Sequence, residues 1–218
     1  MIVLIIGVPG SGKGTQAGVL SSRFGFTHLS TGDIFRAEMS SRSPLGRKAA
    51  EFVNNGQLVP DPVVVEMVAS RIQDIQEKRY LLDGFPRNLE QAQALSAVLS
   101  KQGVAVDLAL FLSVSHAEAV KRLGSRLWCG ACGAVFNIRS LPPQLAGKCD
   151  KCGSGLIQRG DDGAATVQKR LLIYEEMTRP LVAYYRAERI LHEIDGDRPP
   201  EAVSASLAAI VQPLLAAR

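Results

Sequence analysis

No stretch of this 218-residue chain is apolar for long enough to cross a bilayer: the longest early run, Ile2-Val3-Leu4-Ile5-Ile6, falls far short of the ~20 residues required. No basic n-region leads into a small-residue cleavage site, so no signal peptide is read, and a cytoplasmic protein without membrane contact is expected. Aromatic residues are scarce, at 6% with a single Trp, which leaves little for stacking on nucleic-acid bases. Neither charge dominates: 25 Lys and Arg against 21 Asp and Glu give +4, too little for a nucleic-acid-tracking stripe. There are no repeats and no low-complexity linkers. An apolar share of 46% and four cysteines exclude a disordered chain, a collagen-like repeat and a disulfide-dense miniprotein. A chain of this length buries a sizeable core without staples, as one large domain or two small ones. The mild positive balance suits an anionic partner.

What is present alternates strand-like and helix-like segments. Residues 2–6 read as a buried strand running into Gly7-Val8-Pro9-Gly10-Ser11-Gly12, and 13–23 reads as a helix. A second strand is predicted over 27–29, then short helices over 33–39 and 46–54, punctuated by Pro44 and Gly56. Asp61 reads as an N-cap with Pro62 at the first helical position, ahead of a stripe of Val64, Val65, Val68, Ala69 and Ile72. Further strands are predicted over 80–82, 108–112 and 190–194. Further helices are predicted over 89–102, from Ser115 to Leu127, over 166–189 and over most of 201–217; Ser115 and Glu118 have capping-box spacing. This alternation implies an α/β fold with a five-stranded parallel sheet flanked by helices. Residues 125–162 break the rhythm. All four Cys and six Gly lie there with Pro142-Pro143 and no helical stripe, so the segment is an insertion.

Gly7 to Lys13 fits G-x-x-x-x-G-K between a predicted strand and a predicted helix, the context that a phosphate-binding loop requires. Glycines let backbone N–H groups converge on phosphate oxygens, and the helix N-terminus adds a favourable dipole. Lys13 supplies a mobile point charge. The general motif ends in Ser or Thr, whereas here Gly14 follows Lys13 and Thr15 comes next.

Four further strings accompany this loop: Ser30-Thr31-Gly32-Asp33, Asp83-Gly84-Phe85-Pro86-Arg87, Asp161-Asp162 and Thr166-Val167-Gln168-Lys169-Arg170. In their order and separations they resemble the adenylate kinase family in its long-lid bacterial form, over essentially the whole chain. The Gly14-Thr15 ending resembles that family's variant of the loop. The resemblance implies reversible transfer of the γ-phosphoryl of Mg-ATP to AMP, giving two ADP, without a covalent intermediate. It divides the chain into a P-loop core (1–29, 60–124 and 163–218), an AMP-binding insertion (30–59) and a zinc-ribbon-like lid (125–162).

The site residues follow from the same resemblance. On the acceptor side it implies Thr31, Arg36, Gln57, Leu58, Val59, Gly84, Phe85, Pro86, Arg87, Gln91, Arg159 and Arg170. Arg36 and Arg87 would hold the AMP phosphate, which suits the guanidinium fork. Gln91, donor and acceptor at once, would read the adenine edge. On the ATP side it implies Gly10, Ser11, Gly12, Lys13, Gly14, Thr15, Arg126, Val135, Phe136 and Arg198. Lys13, Arg87, Arg122, Arg126, Arg159 and Arg170 would carry the catalysis, and Asp83 would act on Mg2+ through waters.

The chain departs from the family pattern twice. Gly-Arg-Arg at the lid entrance is replaced by Ser125-Arg126-Leu127, and Ala164-Ala165 replaces acidic residues that often follow the paired aspartates. The second change predicts fewer lid ion pairs and easier opening. Asp161 and Asp162 themselves read as ion-pairing hinge or lid residues in preference to metal ligands. Asp33 reads as a helix cap or ion-pair residue, and His28, His116 and His192 form no spaced cluster.

Cys129-Gly-Ala-Cys132 and Cys149-Asp-Lys-Cys152 are separated by 16 residues, a spacing that fits a four-cysteine zinc site. Two disulfides or four free thiols are the alternatives, the first disfavoured in a reducing compartment. Four thiolates would close the zinc shell, which makes the metal structural. Zinc would supply folding energy to a lid with few large apolar residues. ATP, AMP and ADP are thus the expected partners of a monomer. One rival reading is a nucleoside monophosphate kinase with a CMP, UMP or GMP acceptor. A rival of another class is a zinc-ribbon nucleic-acid-binding ATPase, against which the internal position of the ribbon and the low charge both argue.

Overall fold

The computed structural model describes residues 1–75 and 77–216. The chain forms β1 (Ile2–Gly7), α1 (Lys13–Phe24), β2 (Thr27–Ser30), α2 (Thr31–Ser40), α3 (Pro44–Val53), α4 (Asp61–Ala69), β3 (Tyr80–Asp83), α5 (Leu89–Ser100), β4 (Leu108–Ser113) and α6 (His116–Gly124). There follow β5 (Arg126–Cys129), β6 (Val135–Asn137), β7 (Leu156–Ile157), a 3-10 turn (Gly160–Asp162), α7 (Ala164–Ile173), a π-turn (Tyr174–Thr178), α8 (Pro180–Ala187), β8 (Leu191–Asp195) and α9 (Pro200–Ala216).

The main sheet is parallel throughout, in the order β2-β3-β1-β4-β8. The unbroken apolar run of β1 reflects burial on both faces. Ile2, Leu4 and Ile6 enter one core with Leu82 and Leu95, while Val3 and Ile5 enter another with Leu81, Leu110 and Leu207. Each such side chain stabilises the fold by roughly 1.5–3 kcal/mol. Because β1 lies between β3 and β4, the order reverses beside it. In open α/β sheets, ligands bind at such a switch point, beyond the carboxyl ends of the strands.

Capping side chains set the helix starts. Ser30, Ser43, Asn88 and Ser115 each accept a hydrogen bond from the backbone N–H three residues on. At α1 the caps are glycines with positive φ, Gly12 at 88° and Gly25 at 70°.

Three expectations are corrected. The helix expected to reach 127 ends at Gly124, and Arg126–Cys129 extends as a strand because it pairs with both β6 and β7. Asp61 does not cap α4: Pro60 holds the N-cap position, and the Asp61 carboxylate instead accepts hydrogen bonds from the side chains of Asn88 and Gln91. The helix expected over 166–189 is interrupted by the π-turn at Tyr174–Thr178. The last helix runs Pro200–Ala216; Ala217, within its expected span, lies outside the described residues.

The 125–162 segment carries a small antiparallel sheet in the order β6-β5-β7. Opposed residues share a face, so Arg126, Trp128, Val135, Asn137 and Ile157 project to one side. Leu127, Cys129, Phe136 and Leu156 project to the other and pack with Ala134 and Cys149. Among the described residues no helix is long and apolar enough to cross a membrane.

Candidate active site

The glycine loop between β1 and α1 is shaped by backbone that other residues cannot adopt. Gly10 has φ +89°, and a Cβ there would lie 2.7 Å from the Ala119 carbonyl oxygen of α6. At Gly14 a Cβ would lie 3.3 Å from the Asp83 carboxylate, which places that carboxylate against the start of α1. Lys13 Nζ donates to the Val8 carbonyl at 3.1 Å, curling back over the loop. Burial lowers the Lys13 pKa to about 8, with Arg87, Arg170 and Arg126 adding repulsion against the pull of Asp83. Asp83 is buried at the end of β3 with His28 Nε2 at 3.5 Å from Oδ2. It offers a hard oxygen beside the loop, as a hydrated Mg2+ requires.

One pocket opens beside this loop. It is lined by Thr31, Arg36, Gln57, Leu58, Val59, Arg87, Gln91 and Arg170, eight residues singled out above, and also by Phe35, Val64 and Asp161. Gly84, Phe85, Pro86 and Arg159 do not line it. Phe85 and Pro86 are buried beneath, joined by a cis peptide. Gly84 instead offers its carbonyl, which accepts from Thr31 Oγ1 at 2.8 Å and from Arg87 Nε at 2.7 Å.

Arg87 is fixed along its backbone. Its N–H donates to Gln91 Oε1 at 2.7 Å, and its carbonyl accepts from Thr178 Oγ1 at 2.7 Å. Burial lowers its pKa to about 10, with Arg170 repelling and Asp83 opposing. Gln91 is only 1% exposed, and its Nε2 donates to Asp61 Oδ1 at 2.6 Å. One N–H and one lone pair of its amide remain for a ligand. Asp61 and Thr178 were missed in the sequence because their partners lie far away along the chain. Arg36 pairs with Asp33; although burial works against it, this guanidinium holds the Asp33 carboxyl below its usual range.

Asp161 and Asp162 hold two further arginines. Arg126 grips Asp162 through two hydrogen bonds, Nε to Oδ2 at 2.7 Å and Nη2 to Oδ1. Arg170 Nη1 reaches Asp161 Oδ2 at 2.9 Å and Asp162 Oδ1 at 3.2 Å. Burial opposes ionisation of Asp161, yet Arg170 and Arg126 hold its pKa below the ordinary value. Arg122 Nε bonds Glu118 at 2.9 Å and its Nη1 reaches the Ser11 carbonyl at 3.4 Å. Arg159 differs: among the described residues its side chain has no hydrogen bond or ion pair, and burial with repulsion from Arg126 and Arg36 lowers its pKa to about 9. Val135 shares the face of Arg126. The Phe136 side chain lies on the opposite face, against the cysteines. Arg198 is exposed, with Nη1 3.3 Å from Ser206 Oγ, apart from the cationic cluster.

The four cysteine sulfurs lie within 4.8 Å of one another, with Cys129–Cys152 at 3.4 Å and Cys132–Cys149 at 3.5 Å. Disulfides close at about 2.05 Å. Thiolates ~2.3 Å from a tetrahedral Zn2+ stand about 3.8 Å apart, so the donor set fits that metal and not two disulfides.

The adenylate kinase family model matches residues 5–190. An adenylate kinase of Carboxydothermus hydrogenoformans is 45% identical over 213 residues, covering 97% of this chain and 100% of that protein. One of Syntrophomonas wolfei is 45% identical over 199 residues, covering 91% and 93%. One of Clostridium perfringens strain SM101 is 43% identical over 212 residues, covering 97% and 98%. With a parallel sheet, a glycine loop carrying Lys13 and an arginine-lined pocket beside it, the chain belongs to the adenylate kinase family.

Proposed function

We propose that the protein transfers the γ-phosphoryl group of Mg-ATP reversibly to AMP, giving two ADP. An oxygen of the AMP phosphate attacks the γ-phosphorus in line. The new P–O bond forms as the bond to the β-phosphate bridging oxygen breaks, and the electron pair leaves on ADP. No protein nucleophile is needed; positioning and charge neutralisation carry such transfers. The observation that carries the reading is the single pocket where Arg36, Arg87, Arg170, Thr31 and Gln91 converge beside Lys13.

In this reading Gly10 to Thr15 cradle the ATP phosphates, with Lys13 as point charge. Arg36 and Arg87 hold the AMP phosphate, while Gln91 with Gln57, Leu58 and Val59 forms the base pocket. Arg122, Arg126 and Arg170 meet the transferring group once phosphate replaces their present carboxylate partners, and Arg159, which has none, joins them. The 30–59 segment serves the acceptor and the 125–162 segment serves as the lid, whose closure excludes water and so suppresses hydrolysis. Asp83 would hold the Mg2+ that comes with ATP, and that metal would supply charge neutralisation at the phosphates. The four thiolates hold one structural Zn2+, and the enzyme acts as a monomer.

The test mixes the protein with Mg-ATP and AMP, CMP, UMP or GMP separately and follows ADP. Turnover with AMP is expected. Turnover with CMP or UMP but not AMP overturns the acceptor assignment.

A further inference from the structure

We propose that Trp128 is a positioning residue, whose indole face holds the Arg159 guanidinium in place for the transferring phosphoryl group. The inference rests on the reading above that Arg159 serves that group. The guanidinium carbon lies 5.9 Å from the Trp128 ring centroid, within the ~6 Å reach of a cation–π contact. Of the other arginines implied at the phosphates, Arg36, Arg122, Arg126 and Arg170 each hold a carboxylate, and Arg87 Nε is tied to the Gly84 carbonyl. Arg159 holds no carboxylate among the described residues, and its Nε is buried without a partner. The indole is the group that contacts it, with Asp161 and Asp33 attracting from beyond ion-pair distance while Arg126 and Arg36 repel it.

The ring is well placed to do this. Trp128 sits in the central strand of the lid sheet, flanked by Val135 on one side and Ile157 on the other, and Arg159 follows Ile157 by two residues. Trp128 and Arg126 share a face, so the indole lies on the side of the lid that carries the arginines. The chemistry also differs from that of a carboxylate. A carboxylate occupies the N–H donors and must be displaced before phosphate binds, whereas a π face attracts the cation and leaves its in-plane N–H groups free for an anion.

The test is a double-mutant cycle with zinc content and Tm as controls for folding. Trp128→Leu is expected to lower kcat/KM for AMP by about 3- to 30-fold. Trp128→Phe should restore it to within about threefold, because the π face is kept. In an Arg159→Ala background, Trp128→Leu should add less than about twofold. Equal losses in both backgrounds, or no loss from Trp128→Leu while Arg159→Ala is impaired, overturn the inference alone. An unimpaired Arg159→Ala overturns the placement of Arg159 and the inference with it. If Trp128→Leu loses zinc, Trp128→Met carries the same comparison.

Discussion

Asp162 is the buried hub of an ion-pair cluster, and Asp162→Asn should weaken the fold more than any exposed charge change. Its side chain is 0% exposed, and it faces Arg126 through a two-point grip and Arg170 at 3.2 Å. Asparagine keeps the volume and removes the charge. Two guanidiniums then remain partly buried, facing each other across an amide whose N–H groups cannot bond to them. Removing one partner of a buried ion pair costs ~3–5 kcal/mol. At ~2–4 °C per kcal/mol for a chain of this size, Tm should fall by about 6–20 °C. The comparison is Asp74→Asn, which breaks an exposed pair with Lys78 at 2.8 Å and suits asparagine at φ 52°. That change should cost under ~1 kcal/mol. Urea unfolding followed by circular dichroism, at low salt and at 1 M salt, reads both. The Asp162 effect should survive salt, since screening acts on exposed charges far more than on buried ones. An Asp162→Asn protein no less stable than Asp74→Asn would refute the assignment of Asp162 as the anchor of both arginines.

Three further outcomes are expected. Lys13 has a pKa of about 8 without ligand, so it loses its charge as pH rises through that value. If the protonated form binds phosphate, KM for ATP should rise about tenfold between pH 7 and pH 9; a flat KM through pH 9.5 counts against that role. The sign for stability is separate: the folded pKa lies below the unfolded one, so burial of charged Lys13 costs most below pH 8, and the cost fades toward 10.5. Arg87→Ala should cut turnover by about 10²–10³ with Tm nearly unchanged, and an unaffected rate removes Arg87 from the site. The purified protein should carry one equivalent of zinc, and chelation should expose four reactive thiols and lower Tm. Four thiols reactive at full stability without chelator would exclude a structural metal.

The elements legible in the sequence were those written by local pattern. The run Ile2 to Ile6, the glycine loop and the Ser115 N-cap each state their structure within a few residues, whereas the reciprocal bond from Glu118 does not form, because Asp197 takes the Ser115 N–H and Arg122 the Glu118 carboxylate. What could not be read depends on partners far along the chain. Arg126–Cys129 continues a helical-looking stretch, and only pairing with Val135–Asn137 and Leu156–Ile157 makes it a strand. Pro60-Asp61-Pro62 looks like a cap because nothing nearby shows that Asn88 and Gln91 will claim the carboxylate. The π-turn at Tyr174–Thr178 lies inside a stretch of helical periodicity and has no local pattern of its own. In the pocket, residue identities were legible from the strings that resemble the family. The face of Phe136 was not, because a strand's register fixes which side chains point where.

The distribution of cations also argues that the fold gives up stability for its site. Lys13, Arg87, Arg159 and Arg170 all have pKa values lowered first by burial, and each is pushed further down by other arginines. Repulsion of this kind opposes folding, and a protein with a net charge of only +4 has room to spread its cations over the surface. Asp161 and Asp162 supply part of the compensation in the free protein, holding Arg126 and Arg170. In the proposed reaction a nucleotide phosphate would compete with those carboxylates for the same guanidiniums. The strength of the Asp162 grip would then set a cost that phosphate must offset before Arg126 and Arg170 could reach the transferring group.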